Sequence, residues 1–322
     1  MADSTINTNR KYSPIIISVY NRYNHLKRSI ESLQQNKLSK HSHIYILSDA
    51  PAKSEDEDII KKIRVFINQI EGFEQVHPIL WETNKGGHYS ITKGIEQVLL
   101  EHDSFIILED DIVVSPNFLQ YMNDGLEFYK DEKSVFSICA FKLPFEMPAD
   151  YKKDTFFYPC NSPWGVATWK DRWLSVNHDY FDRYTELKKN GLLKSFCSIG
   201  FYIKGILKSD SNKTIVADDL RVYYHMFQNN MTSVFPTISK SQNWGFDGSG
   251  EHCGDNDKAW WAKPELDMAD QKIAFEPFSG FDKNILKQQR KFQDKINGGF
   301  LAKHLKYTWV HDLYKRMKSI QK

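Results

Sequence analysis

The first 110 residues alternate short apolar runs with segments of helical periodicity, and this alternation constrains the fold more than any other feature of the chain. The runs near 14–20, 43–49, 76–81 and 104–108 are rich in β-branched residues and bounded by polar turns, as buried strands are. Between them, apolar residues recur every three or four positions, which predicts amphipathic helices. Strands that alternate with helices form a mainly parallel sheet. The sequence therefore predicts an α/β fold, a Rossmann-related sandwich around such a sheet.

Polar residues follow each of these predicted strands. Asn21 and Arg22 follow the first, Asp49 ends the second, a loop over 82–88 follows the third, and an acidic triplet at 109–111 follows the fourth. In open parallel sheets, ligands bind outside the carboxyl ends of the strands. We therefore expect these polar groups to gather at one edge of the sheet.

Charge is distributed unevenly along the chain. The net charge of +2 combines +9 over 283–322 with −7 over the rest. Aromatic residues, such as Tyr307 and Trp309, interleave with the basic ones; this pattern is typical of nucleic-acid binding, of anionic lipid binding or of a solvated helix face. No basic groove wide enough for a polymer is evident. Nucleic acid is therefore not an expected partner, whereas peripheral contact with an anionic membrane is.

Nothing in the sequence marks the chain for export or for membrane insertion. Its start lacks the basic and apolar regions of a secretory signal. The longest uncharged apolar stretch is far shorter than the roughly 18–20 residues of a spanning helix. The four cysteines form no C-x-x-C pair, which argues against a zinc ribbon or a dense disulfide framework. We expect a cytoplasmic protein, with the face of the inner membrane as the place where the basic tail would act.

The acidic triplet Glu109, Asp110 and Asp111 carries the strongest chemical signal. Mn²⁺ and Mg²⁺ favour oxygen ligands and bridge one or two carboxylates to substrate phosphates. Asp111 is therefore predicted to hold Mn²⁺ or Mg²⁺ against the phosphates of a bound nucleotide. A solvated turn after a strand would give the same three letters, so the triplet by itself leaves both interpretations open.

The order of these motifs resembles that of a known family. The segment ILEDDIVVSPNFLQY at 107–121 is similar to the metal-motif region of the A-type nucleotide-sugar glycosyltransferases, most closely the N-acetylglucosaminyltransferase I group and its bacterial relatives. The resemblance covers about 14–255 and implies the GT-A fold of that family. Further similarities follow in the family's order, at Asn21-Arg22, Ser48-Asp49, His88-Tyr89, the ADDL segment of 217–220 and the GFDGSG loop of 245–250.

The resemblance also implies roles for individual residues. Asp49 would contact uracil, Asp110 the ribose and Glu109 the donor sugar. His88 would belong to the donor site, where it could donate to a phosphate or a sugar oxygen. Asp218 would be the catalytic base of an inverting transfer. For Asp49 a turn or helix-cap aspartate is the alternative.

Arg22 and the loop of 84–88 can each be interpreted in two ways on physical grounds. Arg22 would bind the diphosphate through charge-assisted hydrogen bonds, or would form a surface ion pair at a turn. Gly86 and Gly87 would let the backbone approach a ligand closely, or would simply form a turn. Asn84 and His88 share this loop and are predicted to bind the nucleotide-sugar, with a buried structural histidine as the alternative for His88.

A second acidic pair and two tryptophans complete the predicted site. Attack by an acceptor hydroxyl requires a general base, and Asp218 or its neighbour Asp219 would serve, unless either caps the helix that follows. Trp164, which Gly165 follows directly, and Trp244 are predicted to pack against sugar rings. Simple packing in the core is the alternative for both indoles.

The chain divides into four parts by this interpretation. Residues 1–13 are predicted to be disordered, 14–130 to bind the nucleotide-sugar, 131–255 to bind the acceptor and to carry the base, and 256–322 to form a basic helical extension. We predict a metal-dependent glycosyltransferase that moves a sugar from a nucleotide donor, with a UDP-sugar expected, to a saccharide or lipid-linked saccharide in bacterial surface-glycan synthesis. A carbohydrate-binding protein without catalysis and a metal-dependent nucleotidyltransferase are the alternatives.

Overall fold

The computed structural model describes residues 10–250, 259–269 and 271–298. The strands of this part of the chain are β1 (Ile15–Val19), β2 (His43–Ser48), β3 (Gln75–Leu80), β4 (Ser104–Glu109), β5 (Ile112–Val114), β6 (Val135–Cys139), β7 (Thr155–Tyr158), β8 (Val166–Trp169), β9 (Thr232–Pro236) and β10 (Ser241–Asn243). The helices are α1 (Tyr23–Gln34), α2 (Glu57–Ile67), α3 (Gly87–Val98), α4 (Phe118–Phe128), α5 (Lys170–Leu174), α6 (Arg183–Lys189), α7 (Leu193–Phe196), α8 (Ile203–Ser211), α9 (Asp218–Gln228) and α10 (Lys283–Ile296).

Eight strands form one sheet in the order β3-β2-β1-β4-β8-β6-β9-β7, and β5 pairs with β10 apart from it. Six strands of the large sheet run in one direction, and only β8 and β7 run against them. The predicted α/β fold with a mainly parallel central sheet is therefore confirmed.

The central strand β1 is apolar throughout because both of its faces are covered. Ile15 and Ile17 belong to a core cluster that includes residues of α1, α2 and α4, whereas Ile16 packs on the opposite face with Ile95 and Val98 of α3. Strands of a parallel sheet that are covered on both sides read as continuous apolar runs rather than as alternating ones.

The two predicted halves share this one sheet. Strand β8 pairs antiparallel with β4, with Phe105 opposite Thr168, and β6 follows on the other side of β8. The second half thus extends the hydrogen-bonded ladder of the first. Residues from both halves can therefore hold fixed positions relative to each other.

Both ends of the described chain are packed against the rest of the protein. The sequence predicts disorder at the amino end and a helical extension at the carboxyl end. Disorder over 1–13 is wrong for 10–13, because Tyr12 and Ser13 are buried and Arg10 pairs with Asp124 at 2.8 Å; residues 1–9 lie outside the described part. In the basic extension, α10 forms and buries Ile285. Most of the tail that follows, 299–322, also lies outside the described part.

No helix among the described residues is long and apolar enough to cross a membrane.

The sheet topology brings the predicted site together. Strands β2, β1 and β4 are neighbours in register, with Val19 opposite Ser48 and Ser18 opposite Glu109. Their carboxyl ends therefore meet at one edge, as the sequence predicts. Helix α9 leads directly into β9, which runs parallel to β6, so the amino end of α9 with Asp218 lies towards the same edge.

Candidate active site

One arginine holds two of the three carboxylates of the acidic triplet. Arg22 Nη1 donates to Asp111 Oδ2 at 2.8 Å, and its Nε donates to Asp110 Oδ2 at 3.2 Å, with Nη2 bonded to the other Asp110 oxygen. Asp110 and Asp111 are only 2% and 4% exposed. Their partner comes from the turn after β1, because β1 and β4 are adjacent strands.

The remaining oxygen of Asp111 has no partner within the protein. Asp111 Oδ1 is buried and makes no hydrogen bond, although a buried carboxylate oxygen ordinarily finds a donor. Over the other oxygen lies Gly245, where an added Cβ would be 2.1 Å from Asp111 Oδ2. No group of three or more His, Cys, Asp or Glu in the described residues could hold a metal. A hard cation here would therefore have Asp111 as its main protein ligand and would take further oxygens from a substrate.

Negative charge is concentrated around the triplet. Burial raises the pKa of Asp110 to about 7, although Arg22 acts in the opposite direction. Burial and the charges of Asp111, Asp219 and Asp110 raise the pKa of Glu109 well above its usual range. Asp219 lies on α9, so the second acidic pair contributes to the electrostatic field of the first. Such a cluster favours positively charged ligands or protons.

Asp49 organises the neighbouring loop. Its Oδ1 accepts from the backbone N–H groups of Ala50 and Lys85 at 2.8 and 2.9 Å, and its Oδ2 accepts from that of Gly86 at 2.9 Å. Asn84 donates to the carbonyl oxygen of Ala50 at 2.7 Å. The contacts of Asp49 within the protein are thus those of a turn or capping aspartate. The base of a nucleotide would have to share a carboxylate that already accepts from backbone N–H groups.

His88 joins the two halves. Its Nδ1 lies 2.7 Å from Asp218 Oδ1, and Arg221 Nη1 donates to its Nε2 at 2.9 Å. Arg221 Nη1 is also 3.1 Å from the same Asp218 oxygen. Because arginine can only donate, Nε2 of His88 is the acceptor in this contact. Asp218 is thus held between an imidazole and a guanidinium.

Asp219 has no such partners, and its side chain is exposed. The surrounding protein reduces the solvation of its carboxylate and Asp218 adds negative charge, which together raise the pKa of Asp219 to about 6. Ala217 is the N-cap residue of α9, and no side chain caps the helix. Neither aspartate is therefore the helix cap that was the alternative to a catalytic base.

The predicted sugar-binding residues differ in what surrounds them. Trp164 packs within an aromatic group and stacks on Trp261 at 5.7 Å between ring centroids. Gly165 has a φ of +92°, and an added Cβ would lie 3.0 Å from that of Ala140, so a backbone turn requires glycine here. The ring of Trp244 lies under two cations, Arg28 at 4.3 Å and Lys263 at 4.0 Å. Both indoles already have partners within the protein.

A cleft of about 550 Å³ opens beside Arg22, between the start of α1, the helix α2 and the loop that contains Asp247. Its cationic side chains are those of Arg22, Arg28 and Lys62, and His25 also lines it. Arg22 lines this cleft, whereas the acidic triplet that it contacts does not. The charge of the cleft suits an anionic group that would contact Arg22 from the open side.

Sequence reasoning missed two groups at this edge. Arg221 stands three residues after Asp218, a spacing that places both on one helix face and could have suggested the ion pair. The contact of His25 with Asp247, 3.1 Å apart, holds the 245–250 loop to α1. These two residues are 222 positions apart, and no sequence signal indicates that they meet.

Comparison with known proteins identifies the family. The profile of Glycosyl transferase family 2 matches residues 15–204, which is more than half of the chain and includes β1 to β8 together with the acidic triplet. The match is to the family as a whole, so the narrower similarity to the N-acetylglucosaminyltransferase I group stays a prediction. No curated protein sequence matches the chain.

The chain is also similar, over about half of its length, to parts of two solved structures. The mannosyltransferase PcManGT from Pyrobaculum calidifontis, in complex with GDP-Man and Mn²⁺, is 8% identical with a TM-score of 0.35, over 51% of this chain and 46% of that one. S. aureus TarS is 18% identical with a TM-score of 0.32, over 48% of this chain and 28% of that one. The chain thus spans less than half the length of either protein.

Proposed function

The chain belongs to glycosyl transferase family 2, and we propose that it transfers a sugar from a nucleotide donor, with a UDP-sugar expected, to a hydroxyl of a saccharide or lipid-linked saccharide. The observation that carries this proposal is that the triplet at the end of β4 and the acidic pair that begins α9 lie towards the same edge of the sheet, where the charge of Asp219 acts on Glu109. Transfer to an alcohol needs both a site for the diphosphate and a base for the acceptor.

Asp111 would hold the metal, through the buried oxygen that lacks a partner. A bound Mn²⁺ or Mg²⁺ supplies positive charge that offsets the charge developing on the leaving diphosphate. Arg22 lines the adjacent cleft, where its guanidinium can donate to phosphate oxygens. Glu109 and Asp110 are proposed to face the sugar and ribose of the donor.

The surroundings of the second acidic pair favour Asp219 over Asp218 as the base. Asp218 is held by His88 and Arg221, whereas Asp219 has neither contact, and reduced solvation together with the charge of Asp218 raises its pKa to about 6. A base works best when its pKa lies near the operating pH. In the proposed step, the acceptor oxygen bonds to the anomeric carbon and its proton passes to Asp219. The bond from that carbon to the diphosphate breaks, and the sugar inverts.

Two further parts of the proposal concern the setting of the enzyme. We place it in bacterial surface-glycan synthesis, acting in the cytoplasm on acceptors at the inner membrane. The support is the basic charge of 283–322, which anionic lipids attract by about 1 kcal/mol for each Lys or Arg near the surface. Such contact is peripheral and weakens as salt is added.

The test is turnover of a panel of UDP-, GDP-, TDP- and CMP-sugars with and without Mn²⁺, in the wild type, Asp111→Asn and Asp171→Asn. Asp171 pairs with Lys133 on the surface. It comes two residues after Trp169, which is opposite the first residue of β4 and so lies at the far edge of the sheet. We expect metal-dependent turnover of one donor that Asp111→Asn abolishes and Asp171→Asn preserves.

The alternatives give different results in the same assay. Release of pyrophosphate without any need for an acceptor would indicate a nucleotidyltransferase. Absence of turnover and of metal-dependent nucleotide binding, with saccharide binding unaffected by Asp111→Asn, would indicate a carbohydrate-binding protein and would refute the proposal.

A further inference from the structure

The contact between Arg22 and the acidic triplet raises the question of what else the two aspartates can bind. One guanidinium uses three of its nitrogens on Asp110 and Asp111 together. Both carboxylates are almost fully buried, and the Arg22 side chain is only 20% exposed. A divalent cation at Asp111 and the guanidinium would therefore draw on the same negative charge.

Coulomb repulsion between the two cations is strong in such a place. A metal at Asp111 Oδ1 would share one carboxylate group with Arg22, which is bonded to Oδ2 of the same side chain. Like charges a few ångströms apart repel much more strongly in a poorly solvated site than in water. Metal binding alone is therefore opposed by a charge that cannot be lost, since arginine stays protonated.

A diphosphate changes this balance. Arg22 faces the open cleft as well as the acids, so phosphate oxygens can reach it from the solvent side. Guanidinium pairs with phosphate in the same bidentate manner as with carboxylate. The incoming anion would take over hydrogen bonds of Arg22, bring its own negative charge, and release Asp110 and Asp111 to serve a metal.

We propose that Arg22 is an internal counter-ion that makes metal binding depend on nucleotide binding. This inference rests on the proposed function, in particular on Asp111 as the metal ligand. The metal and the diphosphate then bind as a coupled pair, and each raises the affinity for the other by the same factor.

The experiment measures Mn²⁺ binding rather than activity. The electron paramagnetic resonance signal of free Mn²⁺ is titrated with the full-length protein, alone and with UDP or GDP, with a correction for Mn²⁺ bound by the nucleotide in solution. The variants are Arg22→Met, Arg22→Lys and Arg28→Met. Arg28 contacts Trp244 in the same cleft and pairs with neither aspartate, so its loss controls for the removal of a nearby positive charge.

We expect the nucleotide to tighten Mn²⁺ binding by about tenfold or more in the wild type, within the usual range of coupling. Arg22→Met should tighten binding of Mn²⁺ alone by a similar factor and reduce the coupling to the part that comes from phosphate oxygens that bind the metal directly. Arg22→Lys retains the positive charge, so Mn²⁺ alone should still bind weakly to it. Mn²⁺ alone should also bind weakly to Arg28→Met, because Arg22 is intact in that variant. If Arg22→Met does not fold, as judged by circular dichroism, Arg22→Gln replaces it.

Two results would overturn the inference, and they are distinguishable. If Arg22→Met leaves the affinity for Mn²⁺ alone unchanged or lowers it, Arg22 is not a counter-ion to the metal, whatever the function. If Asp111→Asn fails to weaken Mn²⁺ binding in the presence of nucleotide, the metal assignment itself is wrong and the proposed function loses its support as well.

Discussion

At the scale of single residues, the chemistry of the site depends on how each carboxylate is partnered. Asp111 has one oxygen bonded to Arg22 and one without a partner, Asp218 lies between His88 and Arg221, and Asp219 is free of both. The partner of a carboxylate decides whether it binds a cation, positions its neighbour or accepts a proton.

The raised pKa of Asp219 predicts how activity depends on pH. Only the deprotonated carboxylate can accept the acceptor's proton, so kcat/KM should fall tenfold for each pH unit below about 6 and level off above it. Asp219→Asn should lower kcat at least a hundredfold at pH 8. The measurement is a pH–rate profile of the wild type.

Binding of the nucleotide and Mn²⁺ across the same pH range is the control for that profile, because Asp110 also titrates, with a pKa of about 7. A profile that is flat between pH 5 and 8, with binding unchanged, would remove Asp219 from the role of base.

Two adjacent glycines of the predicted donor loop should respond differently to replacement. Gly86 has a φ of +76°, which an L-residue adopts only with strain, and its N–H bonds to Asp49. Gly87 begins α3 with nothing within 4 Å of an added Cβ. Gly86→Ala should lower the free energy of unfolding by about 1–3 kcal/mol, whereas Gly87→Ala should be neutral or slightly stabilising. Urea unfolding measures both, and equal effects would contradict this account.

At the scale of elements, α3 and α9 meet through side chains rather than through the sheet. His88 stands in the first turn of α3 and Asp218 begins α9, so their 2.7 Å contact fixes the amino ends of two helices relative to each other. Asp219 follows Asp218 directly, and its position therefore depends on this contact.

This link predicts that His88 and Asp218 act as one unit. His88→Ala and Asp218→Asn should each lower kcat by about tenfold, and the double variant should be little worse than either, because contacting residues are not additive. Tyr89→Phe is the control, since it alters the next residue of α3 without touching Asp218. Steady-state kinetics of the four proteins measure the coupling, and full additivity would show that the contact positions nothing.

At the scale of the whole molecule, the basic extension consists of a packed helix and a further tail. Helix α10 buries Ile285 and hydrogen-bonds Gln293 to Tyr158 at 3.4 Å. Residues 299–322 carry +5 of the charge. A test of membrane contact must therefore leave α10 in place.

Deletion of 283–322 should lower the thermal unfolding midpoint, because Ile285 leaves the core, so the shorter deletion of 299–322 is the one that tests membrane contact. If the tail contacts lipid, the shorter deletion should reduce sedimentation with phosphatidylglycerol vesicles at low salt. Vesicle binding that stays unchanged would contradict the proposed membrane contact.

Much of the fold follows from local sequence. The strands β1, β2, β3 and β4 lie within one residue of their predicted positions, because apolar runs bounded by polar turns are a local signal. The gathering of Arg22, Asp49 and the triplet at one edge also follows from the sequence, since the carboxyl ends of parallel strands meet.

The tertiary structure alone decided which partners these residues have. Arg22 bonds to acids 88 and 89 positions away, His88 meets Asp218 at a separation of 130, and Gly245 covers Asp111. The physical reason is that side-chain pairing depends on the register and packing of strands and helices that are distant in sequence, whereas periodicity reports only on neighbours along the chain. The sequence by itself thus determined the sheet and the edge at which its polar residues gather, whereas packing across the sheet placed Asp218 against His88 and Arg221 and placed Arg22 on the predicted metal ligand.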